Sequence, residues 1–597
     1  MADAFRDLNG NGRLDPYEDP RRPVDERVDD LLGQMTLEEK AGLMFHPPIS
    51  MQPDGTLLEE RGVLGRGGTT ELVAGRHLNH FNVSGAPEPR LHAEWQNRIQ
   101  ELAESTRLGI PVTLSSDPCH SFAEQLGASW FAGGFSRWPE PIGFAAAGDE
   151  ELVREFADIA RQEYRAVGIH VALHPMADLA TEPRWARIMH TFGEDAELAG
   201  LLVASYVRGF QGEQLGPHSV ACMTKHFPGG GPQRDGEDPH FPYGKDQVYP
   251  GGMFDHHLGP FEAAFAAGTA QIMPYYGRPI GIGLEEVGFG FNRGVITGLL
   301  RERYGFDGVV CTDWGLVSDY HFADGSTFGA KCWGVEDLSA EERVLKIVEA
   351  GCDQLGGESL PELVVELVRA GRITEARIDA SARRLLRDKF RLGLFDDPYV
   401  DPGEAERICG HAEFRAAGKR AQHSSAVLLT NDGRLPLAGR SRLYLEDVSS
   451  ELAGAYGRVV ATPEDADVAI VRRNAPFEPR TGSFVESRFH AGDLDFKEPE
   501  LGRLLDLARR VPTVLVVHLE RPAVLPELAE ACAAVLATFG ADDEAVLDVL
   551  FGRAAPGGRL PFELPSSMEA VRAQKPDVPF DSERPLFPFG HGLSYAG

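Results

Sequence analysis

Five short apolar runs between residues 110 and 312 of this 597-residue chain limit its fold more than any other feature. They are IPVTLSS (110–116), HVALHP (170–175), SVACMTKH (219–226), TAQIMPYY (269–276) and DGVVCT (307–312). Each has the length of a buried strand and stops at polar or ionisable residues. Helical patterns such as 150–164 lie between them. Strands alternating with helices build a parallel sheet, and this many units predict a (β/α)8 TIM-like barrel.

Such a barrel keeps its chemistry at the carboxyl ends of its strands. The run 307–312 ends there in Asp313 and Trp314. A carboxylate beside a core strand is costly unless it is paired or working. The competing reading is a helix N-cap, because Leu316 and Val317 follow.

A second alternation begins after residue 420, with AVLLT (426–430), ADVAIVR (466–472), TVLVVHL (513–519) and AAVLATF (533–539). The expected organisation is a leader at 1–24, a barrel domain at 25–395, a Pro-, Gly- and charge-rich linker at 396–420 and an α/β sandwich at 421–597. The sequence TLEEK opens an early helix with a capping box, Thr36 with Glu39.

Composition narrows the partners. A net charge of −32 repels nucleic acid and anionic membrane, and favours a neutral or cationic ligand. No run of about 18 apolar residues signals a membrane span. The 7 cysteines are scattered and never spaced as CxxC, so neither a disulfide framework nor a zinc site is expected. The first residues, MADAFRDLNGNG, lack a basic segment followed by an apolar one, so a cytoplasmic location is expected. A secreted chain trimmed of its leader would read the same. A homodimer is left open.

Residues 7–18 read DLNGNGRLDPYE. Asp7, Asn9, Asn11, Asp15 and Glu18 fall at the ligand positions of a calcium-binding loop, with Gly12 at the sharp turn and Arg13 offering its carbonyl. Hard oxygen donors at that spacing predict a structural calcium ion. A turn-rich leader is the alternative, since Pro16 interrupts the end of the loop and no helix precedes it. No organic cofactor is expected.

Segments running almost end to end carry a resemblance. They are QMTLEEKAGLM, SSDPCHS, ADLATEPRWARIMHTFGED, KHFPGGG, GFDGVVCTDWG, NDGRLPL and FPFGHGLSY. In their order and spacing the chain resembles glycoside hydrolase family 3, the β-glucosidase family, in its two-domain form. The resemblance implies retaining, exo-acting cleavage of β-linked glucosides or oligosaccharides at a site between the domains, with β-xylosidase, β-N-acetylglucosaminidase or a silent sugar-binding homologue as rivals. Retaining hydrolysis uses two carboxyl groups about 5–5.5 Å apart, one a nucleophile and one an acid and then a base.

Asp313 matches the family's nucleophile. The family's acid/base is a glutamate on a second-domain loop, where Glu478 and Glu486 stand and Glu478 is favoured. A branch of the family uses a barrel-loop histidine instead, which makes His240, beside Asp235 and Asp238, a third candidate. Asp117, Lys225 and His226 match residues that hold sugar hydroxyls, and Trp314 is expected to form an apolar face for a sugar ring. Arg184 matches an arginine that helps build the pocket, while Thr181 stands where another sugar-binding arginine is expected. Tyr276 matches the tyrosine that orients the nucleophile.

Overall fold

The computed structural model describes residues 5–595, apart from 63–64, 123, 126–127 and 323–326. Among the described residues, eight parallel strands form the barrel of the first domain. They are β1 (Phe45–His46), β2 (His80–Val83), β3 (Thr113–Ser116), β4 (Ile169–Ala172), β5 (Ala221–Phe227), β6 (Gln271–Pro274), β7 (Val309–Val310) and β8 (Leu355–Gly356). Strands β2 to β7 make one continuous sheet, and β1 pairs with β8. Parallel bridges Pro48–Asn82 and Cys311–Gln354 join the two pieces, so the circle closes. The expected barrel is present. Strands β1, β2 and β8 had no separate signal in the sequence, since two of them are only two residues long.

Alternation along the strands places the site. Val171, Ala221, Met223, Met273 and Cys311 fill the barrel interior. Two residues on, with the same facing, come Lys225 after Met223 and Asp313 after Cys311. The barrel fills with apolar side chains until the strands end, and the ionisable residues follow there.

The second domain is one mixed sheet of β9 (Val427–Asn431), β10 (Arg442–Glu446), β11 (Arg458–Val459), β12 (Val468–Asn474), β13 (Thr513–His518) and β14 (Ala534–Thr538). Its order is β9-β14-β13-β12-β10-β11, with only β9 antiparallel to its neighbour. The predicted linker differs from expectation. Residues 402–425 fold into two helices, Pro402–Ile408 and Ala412–Ser425. The chain before them is tied to the barrel, for Gln96 and Asn97 donate to the carbonyls of Pro398 and Val400 at 2.8 Å. Proline here marks a helix start, since it can occupy the first turn without losing a hydrogen bond.

The second domain reaches the barrel mouth through Arg521, which is fully buried. Its guanidinium donates to the Arg184 carbonyl at 2.8 Å, and to Pro476 and Gly492 carbonyls at 2.7 and 3.2 Å. Arg480 adds an ion pair to Glu237 at 2.7 Å. Among the described residues no helix is long and apolar enough to cross a membrane, and all seven cysteines are free and buried.

Candidate active site

Asp313 sits at the end of β7, buried, with its two oxygens treated differently. Tyr276 donates its hydroxyl to Oδ1 at 2.8 Å. Oδ2 has no hydrogen-bond partner among the described residues. His226 Nε2 lies 3.7 Å from Oδ2. Burial raises the Asp313 pKa, while His240, Lys225, Arg187 and the Tyr276 bond pull it back. The cap reading falls away, because no helix begins at residues 314–317.

Asp117, at the end of β3, accepts from Lys225 Nζ at 2.8 Å and from Asn82 Nδ2 at 3.3 Å. Its carboxylate is buried and charge-paired, as a buried acid must be. His226 follows Lys225 and bonds through Nδ1 to Asp178 at 2.7 Å. Arg187 Nη1 lies 3.0 Å from His226 Nε2. A guanidinium only donates, so Nε2 is the acceptor and Nδ1 carries the proton. The ring is therefore neutral, in accord with a pKa held far below normal by burial and by Arg187 and Lys225. Burial raises Asp178 to about 7.

Arg187 is the residue the sequence reading missed. It is fully buried and stays charged, with Tyr275, Asp238, Asp313 and Asp178 around it. Arg184 instead turns to Glu182 at 2.9 Å and towards Asp235 at 3.7 Å, away from Asp313. Thr181 bonds the Pro576 carbonyl at 2.6 Å and serves the domain interface. In PRWAR the signal was there, in the second arginine rather than the first.

His240 is inside this group. Its Nδ1 bonds Asp238 at 2.6 Å, and its ring stands edge-on to Tyr276 at 4.7 Å. Asp238 also accepts from Trp185 Nε1 and Tyr275 Oη at 2.9 and 3.1 Å. The His240 pair holds the Asp238 pKa below normal, even though burial opposes it. On the second-domain side, Phe489 packs against His240 at 5.0 Å.

The two glutamates lie further out. Glu478 is exposed and paired with Lys497 at 3.0 Å. Glu486 accepts from Tyr243 at 2.5 Å at the rim. Among the described residues neither side chain makes a hydrogen bond or ion pair with Asp313, Tyr276, Arg187 or His240. Trp314 is half-buried against His46 at 5.3 Å, and Gly356 leaves room for its ring where a side chain would collide with it.

The segment expected to be a calcium loop is hydrogen-bonded within itself. Asn9 and Asn11 both donate to Asp15 Oδ2 at 2.6 Å, and Asp7 accepts from the Gly12 amide at 2.8 Å. Arg13 is close by, its amide on Asn11 at 2.8 Å. Glu18 departs from the expected role. Its oxygens accept from backbone amides of Leu8 at 2.7 Å and Asp15 at 2.9 Å. Asp7, Asn9, Asn11 and Asp15 bring together oxygens of the type a hard cation takes, and each of them, like Glu18, accepts a hydrogen bond from within the loop in this structure.

Family models match both domains, the glycosyl hydrolase family 3 N-terminal domain over residues 72–387 and the C-terminal domain over 442–595. The chain belongs to glycosyl hydrolase family 3. Within this family it is 52% identical to Beta-glucosidase C of Emericella nidulans, across 97% of this chain and 94% of that protein. It is 45% identical to the Periplasmic beta-glucosidase/beta-xylosidase of Dickeya chrysanthemi, across 99% and 93%. Among solved structures it is similar to a β-glucosidase from Listeria innocua in complex with glucose, at 23% identity and a TM-score of 0.76, covering 96% of this chain and 83% of that one. That likeness places the fold: barrel first, mixed sheet second.

Proposed function

We infer that this family 3 protein is a retaining, exo-acting β-glucosidase with Asp313 as its nucleophile. The state of Asp313 carries the reading. One oxygen is fixed by Tyr276, and the other is buried with no hydrogen-bond partner among the described residues. An oxygen so placed, kept from water and from competing donors, suits attack on an anomeric carbon. Asp117, Lys225 and Arg187 offer an acceptor and donors for the hydroxyls of a terminal sugar. A site built to pair hydroxyls rejects sugars that lack them.

For proton transfer the geometry favours His240 over Glu478. His240 adjoins Tyr276 and carries a carboxylate on Nδ1, which leaves Nε2 for the leaving oxygen. In the first step Asp313 bonds to C1 as the leaving oxygen takes the His240 proton. In the second, water attacks C1, gives its proton to His240 and releases Asp313. Glu478, exposed and salt-bridged to a lysine, supplies the alternative if the second-domain loop moves on binding.

Release of nitrophenol from p-nitrophenyl β-D-glucoside, β-D-xyloside and N-acetyl-β-D-glucosaminide tests the class, and Asp313→Asn tests the nucleophile. We expect the glucoside to be cleaved fastest and the variant to lose more than 90% of turnover, an order-of-magnitude bound (~10-fold or more) for removing an attacking carboxylate. For the acid, a group that protonates the leaving oxygen matters most for poor leaving groups. His240→Ala should lose cellobiose cleavage far more than dinitrophenyl glucoside cleavage. If Glu478→Ala or Glu486→Ala shows that leaving-group dependence and azide rescue instead, the acid lies on the second domain.

A further inference from the structure

Lys331 is a buried lysine whose ammonium meets ring faces but, among the described residues, no acidic or hydrogen-bonding partner. It is 2% exposed, and its backbone amide donates to the Gly315 carbonyl at 2.9 Å, which fixes it beside the residue that follows Trp314. Its ammonium lies 3.4 Å from the centre of the Phe328 ring and 5.5 Å from that of Tyr320. A side chain on Gly315 would begin 3.6 Å from Nζ. Among the described residues Nζ makes no hydrogen bond and no ion pair.

An ammonium has three donors, and a ring face satisfies its charge but not its hydrogen-bonding directions. Burying it unpaired is costly. Burial brings the Lys331 pKa down to about 7, against the pull of Asp313, Glu358 and Asp319. A cation kept at that cost beside the reacting carboxylate is placed to meet oxygens that arrive with the substrate.

Its surroundings indicate which oxygens. The groups that grip the terminal sugar come from β3, β5 and the segment after β4. Lys331 comes instead from the segment after β7, in an aromatic layer beneath the second-domain loop. In that layer Phe328 meets Phe241 at 6.0 Å, and Phe241 meets Phe489 at 5.2 Å and stacks on Tyr243 at 5.5 Å. Tyr243 is 47% exposed. The layer therefore runs from Asp313's surroundings out to solvent, where it is placed to line the exit of a leaving group.

We propose that Lys331 determines specificity on the leaving-group side, donating hydrogen bonds to the hydroxyls of a departing sugar. The substrate class is then β-linked oligosaccharides ahead of aryl or alkyl glucosides. This rests on the reading of Asp313 as the nucleophile of a β-glucosidase.

The test compares Lys331→Met with wild type on cellobiose and on p-nitrophenyl β-D-glucoside. Loss of a hydrogen bond from a charged donor should lower kcat/KM for cellobiose by about 10- to 100-fold. The aryl glucoside offers no hydroxyl on its leaving group, so its kcat/KM should fall less than about threefold. Lys331→Gln keeps a donor and should recover part of the cellobiose loss. Equal losses on both substrates, or none on cellobiose, in a variant that melts with wild type overturn the proposal. Should Lys331→Met fail to fold, the same comparison on Lys331→Gln decides, and an equal loss there overturns it. If wild type cleaves neither substrate, the nucleophile reading fails and takes this one with it. A wild type that cleaves both isolates the failure to Lys331.

Discussion

Tyr276→Phe separates the two ways in which Asp313 is tuned. The substitution keeps the ring against His240 and removes a single hydroxyl. That hydroxyl has one proton and lies 2.8 Å from both Asp313 Oδ1 and the Trp314 carbonyl. Burial and the nearby Asp313 charge raise the tyrosine's own pKa well above normal, so the proton stays on oxygen as a donor. A hydrogen bond to a charged group contributes about 1.5–3 kcal/mol. At ~1.4 kcal/mol per pH unit, that is about one to two units on the Asp313 pKa, and sharing the proton with a carbonyl favours the lower figure. The sign follows from which form the bond favours. Tyr276 stabilises the carboxylate, so removing it raises a pKa that burial has already raised. The nucleophile must be ionised, and kcat/KM reports the free enzyme. The acid limb of the kcat/KM profile for p-nitrophenyl β-D-glucoside should therefore move to higher pH by about one unit. Above that limb the variant should retain much of its activity. A limb that stays in place while the whole profile drops would mean that Tyr276 positions substrate and leaves the Asp313 charge alone.

Two further outcomes test the scaffold. We propose a calcium ion held by Asp7, Asn9, Asn11 and Asp15; binding to the folded state should then raise the melting temperature in millimolar calcium over chelator, and an unchanged melting temperature overturns it. Arg521→Met leaves the Arg184, Pro476 and Gly492 carbonyls without their shared donor. Loss of about 3 kcal/mol would lower the second domain's melting temperature by roughly 6–12 °C. Arg184→Ala keeps the carbonyl that Arg521 uses, so it should melt near wild type; equal melting of all three proteins sinks the clamp.

The barrel was legible because the five runs at 110–312 are long enough to show their ends. Each stops within 3 residues of its strand's end, and polar residues mark the site. β1 and β8 were not legible, since Phe45–His46 and Leu355–Gly356 form strands only because neighbours on both sides close the circle. The helices at 402–425 were obscured for another reason. Proline and glycine near a helix start look like loop residues until the partner surface is known, and here that surface is the barrel.

The site divides along the same physical line. Asp313, Tyr276, Asp117, Lys225 and His226 lie at strand ends, where the backbone fixes the side chain's direction and a motif predicts its place. Arg184 and Arg187 lie on an irregular segment, where three residues of shift exchange inside for outside. A regular strand would have put both arginines on opposite faces by count alone. The 182–190 segment has no such rule, and burial decided the matter: Glu182 neutralises Arg184 at the rim, while the buried acids Asp178, Asp238 and Asp313 surround Arg187. The candidates proposed for the acid/base divide in the same way. Glu478 was favoured for its distance past β12, but a loop that leaves a strand end can carry a side chain either way. Lys497 drew it outward. His240 had the weaker motif and the stronger anchor, because Asp238 is itself fixed by Trp185 and Tyr275 on the barrel. Where several buried donors converge on one carboxylate, its partner's position is determined even in a loop, and that convergence exists only in the folded chain.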